Sequence, residues 1–171
     1  ALHITSDQEL YDWFIELQPE FVKRNVFKKE CTQNGDTDEE IFGKMQQYQK
    51  IFIFIADLPE FVEHIARPQQ GVGNMSGFVA NLLDKGANHN VYWFAAYNQD
   101  DALRVAGQQV YELFVKGQKG IHLGGNVIGQ RLLNFDHIKY SDQSKLLPPG
   151  IGLLPAGSGE TSTVVIPLYK A

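Results

Sequence analysis

Two short runs of the chain are apolar without a break, Ile51 to Ile55 (IFIFI) and Val91 to Ala96 (VYWFAA). An unbroken β-branched and aromatic run predicts a strand, and one covered on both faces, as in a parallel α/β sheet. Each run ends in polar residues, Asp57 after Ala56 in the first and Tyr97, Asn98 and Gln99 in the second. The two strands are expected side by side and parallel, with Asp57 and Asn98 at one C-terminal sheet edge, where open α/β sheets bind ligands. Phe54, inside the first run, is expected in the core, where truncation to Ala costs about 3–5 kcal/mol.

Helical spacing dominates elsewhere. Ser6 and Glu9 stand in capping-box positions ahead of a stripe made by Leu10, Trp13, Phe14, Leu17 and Phe21. Pro19 is expected to end or kink that helix before Val22 and Val26. Lys23, Arg24, Lys28 and Lys29 form a basic cluster whose plain reading is a solvated face. Thr32 to Glu40 reads as a turn, and a helix from about Asp38 to Tyr48 is expected to turn Ile41, Phe42, Met45 and Tyr48 inward, Met45 as core filling. After the first strand, Glu60, Phe61, Val62 and Ile65 are helically spaced.

Arg67 to Gly77 breaks the pattern, and its glycines Gly71, Gly73 and Gly77 follow no strand, so a connecting loop explains them better than a phosphate cradle. Asn74 or Ser76 can cap the next helix, which carries Phe78, Val79, Leu82 and Leu83 and stops at Gly86. A helix from Asp101 to Lys116 is expected to bury Leu103, Ala106, Val110 and Leu113 or Phe114. Beyond Gly117 and Gly120 the order is a compact element with Ile121 and Leu123, then a short helix over Gly129 to Leu133. Ile151 to Leu154 follows, a turn over Pro155 to Ser162, and a terminal strand Thr163 to Tyr169. The turn PAGSGETS superficially suggests a phosphate-binding loop, but Glu160 stands where a lysine is needed and reverses the electrostatics.

Composition narrows the class. A length of 171 residues and 43% hydrophobic content suit one domain with a sizeable core. The net charge of -5 argues against a surface built to neutralise nucleic-acid phosphates. The one cysteine, Cys31, fits a reducing compartment. No apolar run reaches the roughly 20 residues needed to cross a bilayer, so any membrane span of a parent protein is expected outside this piece, with no direct insertion of the piece itself. The five histidines are scattered without a zinc-binding pattern, and Ser76 lacks the glycine that precedes a nucleophile-elbow serine.

A hydrophobic strand ending in Asp57 resembles the Walker B element of P-loop ATPases, with Leu58 where the catalytic acid usually follows. Ala87 to Asp100, ANHNVYWFAAYNQD, resembles the strand and polar tip of FtsK/SpoIIIE-type motor ATPases, with Tyr97 and Asn98 in place of Thr-Gln. Together with DLPEF, these features are most similar to the third, C-terminal ATPase domain of the EssC-type ATPases of type VII protein secretion, over most of the chain. The resemblance implies an α/β fold, a three-layer P-loop-ATPase-like (RecA-like) domain with a mostly parallel sheet, here lacking the N-terminal Walker A portion. Residues 1–171 are then a truncated or degenerate ATPase domain, because GxxxxGK followed by Ser or Thr occurs nowhere.

The resemblance assigns Asp57 as the Mg²⁺ ligand and, with Asn98, as the catalytic pair; Asp57, Tyr97, Asn98, Pro149 and Gly150 would border the nucleotide, Gly152 lying in the same late glycine-bearing turn. Arg131 would reach a partner or phosphate, or else be solvated or ion-paired. From the residues alone, Asp57 is equally an N-terminal cap, Asn98 and Asp100 are turn-forming residues, and Asp57 with Glu60 is an acidic pair without a visible pocket. The expected function is a regulatory or scaffolding domain of a secretion motor, without independent ATP hydrolysis, on the cytoplasmic side of the cell membrane. ATP and Mg²⁺ belong to the intact protein rather than to this piece. A secreted substrate protein or neighbouring ATPase domains are the implied partners, with homo-oligomers in the intact protein. The alternatives are a fragment of an active motor domain and, less favoured, a DNA translocase.

Overall fold

The computed structural model describes residues 2–68, 74–128, 130, 132–156 and 159–167. Two compact units divide the chain, Ala1–Phe114 and Val115–Ala171.

The first unit begins with a long helix, α1 (Asp7–Gln33). Ser6 and Glu9 close the expected capping box: the Ser6 hydroxyl accepts the Glu9 N–H at 3.3 Å, and the Glu9 carboxylate accepts the Ser6 N–H at 3.2 Å. Pro19 does not end the helix. The proline sits on the exposed side, where water can serve the carbonyl it leaves without a partner. Phe14, Leu17, Arg24 and Cys31, spaced by three, seven and seven residues, are buried and anchor both halves. Arg24 thus departs from the solvated-face reading given to its cluster.

α2 (Asp38–Met45) starts at a second capping box, Thr37 with Glu40, and buries Ile41 and Met45. Phe42, expected inward, is exposed. After β1 (Ile51–Ile55) come α3 (Leu58–Ala66) and α4 (Ser76–Gly86), the latter preceded by Asn74, whose side chain accepts the Ser76 N–H at 2.8 Å. Gly71 and Gly73 lie outside the described residues. A 3₁₀ turn over Ala87–His89 leads into β2 (Val91–Ala95). Gly86 is required there, since a Cβ would stand 2.9 Å from the Val91 carbonyl oxygen.

β1 and β2 pair in parallel, in the register Ile51 with Val91 through Ile55 with Ala95. Their inner face carries Ile51, Ile53, Ile55, Val91, Trp93 and Ala95, and Trp93 meets Phe61 of α3 and Phe114 at centroid distances of 6.3 and 6.2 Å. The outer face is open. Phe52, Phe54 and Phe94 are exposed, Phe54 to 75%, which corrects the expectation of a strand covered on both sides. The apolar run is continuous because this face carries aromatic rings that stack on one another, Phe54 on Phe94 at 5.0 Å and Phe52 on Tyr92 at 5.5 Å.

The helix expected over Asp101 to Lys116 is broken. A 3₁₀ turn spans Ala102–Val105, Gly107 adopts φ of +85°, and α5 (Gln109–Val115) begins after it. That break turns Leu103 outward, while Val105 and Val110 are buried.

The second unit holds an antiparallel sheet in the order β3 (His122–Gly125), β4 (Leu147–Ala156), β5 (Glu160–Val165), with a four-residue helix α6 (Tyr140–Gln143) between β3 and β4. β4 and β5 pair from Ile151 with Val165 to Ala156 with Glu160, so Pro155, Ala156 and Glu160 to Ser162 of the glycine-rich PAGSGETS segment are strand, and Gly157 and Ser158 lie outside the described residues. Side chains close in on Gly152, where a Cβ would lie 2.7 Å from that of Leu123 on β3, 2.8 Å from that of Ile121 and 3.0 Å from that of Val164 on β5. Gln130, Leu132 and Leu133, inside the expected short helix, are not helical; Gly129, Arg131 and Tyr169 lie outside the described residues.

The fold is therefore mixed α/β, with one small parallel ladder and one antiparallel sheet. The expected mostly parallel sheet is corrected: three of the five strands among the described residues are antiparallel.

Candidate functional site at the strand tips

The β1–β2 ladder continues past its last paired residues. Ala96 N–H donates to the Ile55 carbonyl at 2.9 Å, and the Leu58 N–H donates to the Ala96 carbonyl at 3.0 Å. These two bonds bracket Asp57 on one strand and lead directly into Tyr97 and Asn98 on the other. Asp57, Tyr97 and Asn98 thus share one sheet edge, as the parallel pairing of two polar-tipped strands requires.

Each tip residue already has a local task. Asp57 is the N-cap of α3: its Oδ1 accepts the Glu60 N–H at 2.9 Å, and Pro59 in the first turn leaves no N–H to satisfy. Asn98 accepts the Asp100 N–H on its side-chain oxygen at 3.2 Å, and its carbonyl accepts the Asp101 N–H at 3.1 Å, so it shapes the turn that leads into the 3₁₀ segment. Tyr97 is half-buried, and burial, with a smaller contribution from Tyr111, pushes its phenol up to about 12. It remains a neutral hydroxyl at physiological pH.

Leu58 is fully buried, at 0% exposure, in the position where the resembled pattern places the water-orienting acid. A side chain there points into the core shared with Val62 and Ile65 rather than toward the edge. Pro149 and Gly150 belong to the second unit. They lie inside β4 rather than in a turn before a strand; Gly150 has φ of +81° and its carbonyl accepts the Ile166 N–H at 2.7 Å.

Among the described residues the tip does not by itself supply a complete ligand set for magnesium. The tip offers one carboxylate, half engaged as a cap, and among the described residues no group of three or more His, Cys, Asp or Glu could hold a metal ion. Binding Mg²⁺ with phosphates takes several oxygen ligands held together, which one exposed carboxylate does not supply.

Two features escaped the sequence reading. One is the open aromatic face. The other is a buried polar network at the opposite end of the ladder. Arg24 donates to the carbonyls of His89 at 2.6 Å and Gln49 at 2.9 Å, and Asn90, at φ of +57°, donates to those of Met45 and Tyr48 at 2.9 and 3.2 Å. The network satisfies the chain ends that enter β1 and β2. The heptad spacing of Arg24 from Leu17 and Cys31 is the signal that places it on the buried stripe.

Comparison with solved structures agrees with this geometry. The chain superposes on the cytoplasmic domain of EssC with a TM-score of 0.71, covering 96% of this chain and 29% of that one at 15% identity. The fold is that of an EssC-like ATPase domain. A second match, EssC (ATPases 2 and 3) from Geobacillus thermodenitrificans, gives a TM-score of 0.63 at 15% identity, covering 97% of this chain and 27% of the other. The chain spans less than a third of either EssC chain. The sequence matches no protein-family model and no curated protein. Among the described residues, no helix is long and apolar enough to cross a membrane.

Proposed function

We propose that this chain is an ATPase-like scaffolding or regulatory domain of a type VII protein secretion motor, related to the FtsK/SpoIIIE ATPases and without independent ATP hydrolysis. The observation that carries this reading is the strand tip. The fold and the parallel ladder are those of an EssC-like ATPase domain, while Asp57 caps a helix and Leu58 is sealed in the core. An acid that orients water has to reach the edge, and the side chain at position 58 is buried. The domain keeps the framework and lacks the reactive groups.

In such a motor the domain acts by contact. Parallel sheets are stable when both faces are covered, and here the face of Phe52, Phe54, Tyr92 and Phe94 is not. Its occupant in this proposal is neighbouring ATPase-domain chain of the same parent protein, on the cytoplasmic side of the membrane. The matched EssC chains, more than three times as long, have such chain to supply. The same open face favours a second reading, a fragment of an active motor domain whose remaining layers would complete the sheet and bring the phosphate-binding loop.

Calorimetry with Mg-ATP and a phosphate-release assay test the first reading. The expected result is no phosphate release above a protein-free control and at most weak binding. Hydrolysis by these 171 residues that disappears in Asp57→Asn would overturn it in favour of an active motor.

A further inference from the structure

The long helix α1 carries apolar side chains on two sides. Phe14, Leu17, Arg24 and Cys31 mark the side buried in the first unit. Ile15, Pro19, Val22 and Val26 recur at four-, three- and four-residue spacing, which puts them together on the opposite side of the helix. All four are exposed, Ile15 to 48%, Val22 to 52% and Val26 to 47%. Alternating steps of three and four make the narrow seam by which one helix packs lengthwise on another.

Charge decides what the seam fits. Through Glu20 the helix carries acids and no base, and beyond it Lys23, Arg24, Lys28 and Lys29 stand against one acid, Glu30. The polar residues that extend the seam follow the same division: Asp12 precedes Ile15 by three residues, and Lys29 follows Val26 by three. Both are exposed. Asp12 accepts a hydrogen bond from Gln8 at 2.8 Å, and among the described residues neither Asp12 nor Lys29 is in an ion pair. An apolar seam with an acid at one end and a base at the other is complementary to itself when reversed.

We infer that two copies of this chain pair through this face of α1, antiparallel, about a two-fold axis that passes between Pro19 and Val22. In that register Ile15 meets Val26 of the second copy, and Pro19 meets its Val22. One layer further out Asp12 meets Lys29, and beyond them Gln8 meets Gln33; the two-fold axis repeats every contact. A parallel pairing would set Asp12 on Asp12 and Lys29 on Lys29. Sliding the antiparallel pair by seven residues would set Asp12 on Val22 and Gln8 on Val26. The charges therefore fix both direction and register, and the opposed helix dipoles favour the same direction. Four apolar side chains from each copy make a small interface, so the pairing is weak, with Kd on the order of 100 µM. It uses none of the residues of the strand tips or of the open ladder face, and it stands whether or not the tips hydrolyse ATP.

The test is analytical ultracentrifugation of the 171-residue chain from about 10 µM to about 1 mM. The chain is expected to pass from monomer to dimer over that range, and less so as sodium chloride is raised, because the Asp12–Lys29 pairs lie at the exposed ends of the seam. Asp12→Lys and Lys29→Asp should each weaken the dimer severalfold. An equimolar mixture of the two, and the double variant Asp12→Lys/Lys29→Asp, should recover it. Val22→Glu should abolish it while the helical circular dichroism is kept, since position 22 is exposed. Register is read by disulfide formation: Ile15→Cys mixed with Val26→Cys should cross-link and neither alone should, the native Cys31 being buried. A chain that stays monomeric throughout, or a dimer that survives Val22→Glu and is lost in Phe54→Asp, would overturn the inference. So would a cross-link in Ile15→Cys alone, the mark of parallel helices.

Discussion

The two faces of the β1–β2 ladder are built from the same few residue types and have opposite fates. On the inner face Ile55 and Val91 are buried and Trp93 packs between Phe61 and Phe114. On the outer face Phe52, Phe54 and Phe94 stand in solvent and touch one another. Hydrophobicity alone does not distinguish them. α3, which follows β1, and α4, which precedes β2, pack on one side, and the rings of the other side are exposed. In the function proposed above, that asymmetry marks a surface for more protein.

The inner face is most sensitive to substitution where it is tightest. Leu58→Ala removes a fully buried side chain beneath the ladder edge and is expected to lower stability by about 2–5 kcal/mol, read from the shift in denaturation midpoint. Leu58→Glu, which supplies the acid of the resembled motif, should unfold the chain or leave it without phosphate release, because the side chain at 58 enters the core. Gly86→Ala pushes a methyl against the Val91 carbonyl oxygen, a backbone atom that cannot swing aside, at an expected cost of about 1–3 kcal/mol.

At the tip itself, Asp57→Ala should cost about 0.5–2 kcal/mol through loss of the α3 cap, with Asp57→Asn or Asp57→Ser recovering most of it. A residue kept only for metal would show no such rescue by Ser. On the outer face, Phe54→Ala removes a cross-strand contact with Phe94 and should cost about 0.2–1 kcal/mol. A loss as large as the 3–5 kcal/mol expected of a buried aromatic would mean that the face is already covered in solution, for instance by a second copy.

Much of this was legible in the sequence. The two apolar runs with polar tips correctly place a parallel pair with Asp57 and Asn98 at one edge, since short unbroken strands leading into helices leave few other topologies. The capping box at Ser6 and the core role of Met45 follow from local rules that tertiary context left intact. What failed was inference from hydrophobicity to burial. Phe54, Phe42 and Leu103 are exposed because burial depends on what lies opposite, and a strand of alternating Ile and Phe carries no mark of which face meets a partner. Arg24 failed in the opposite sense: its charge suggests solvent, yet it is needed inside to satisfy the His89 and Gln49 carbonyls. In the second unit, Pro149 and Gly150 fall in a strand because the positive φ at Gly150 lets β4 bend and continue, where proline and glycine together ordinarily signal a turn.

The claim that the outer face is a contact surface is tested most directly by oxidative footprinting of the isolated chain and of the intact parent protein, with residue-level rates for Phe52, Phe54, Phe94, Trp93 and Leu103. In the isolated chain the three phenylalanines should react readily and Trp93 slowly. In the parent protein the phenylalanines should fall severalfold, while Leu103, which is 79% exposed, keeps its rate. Phenylalanine rates unchanged between the two would contradict the account, leaving the aromatic face as bare surface.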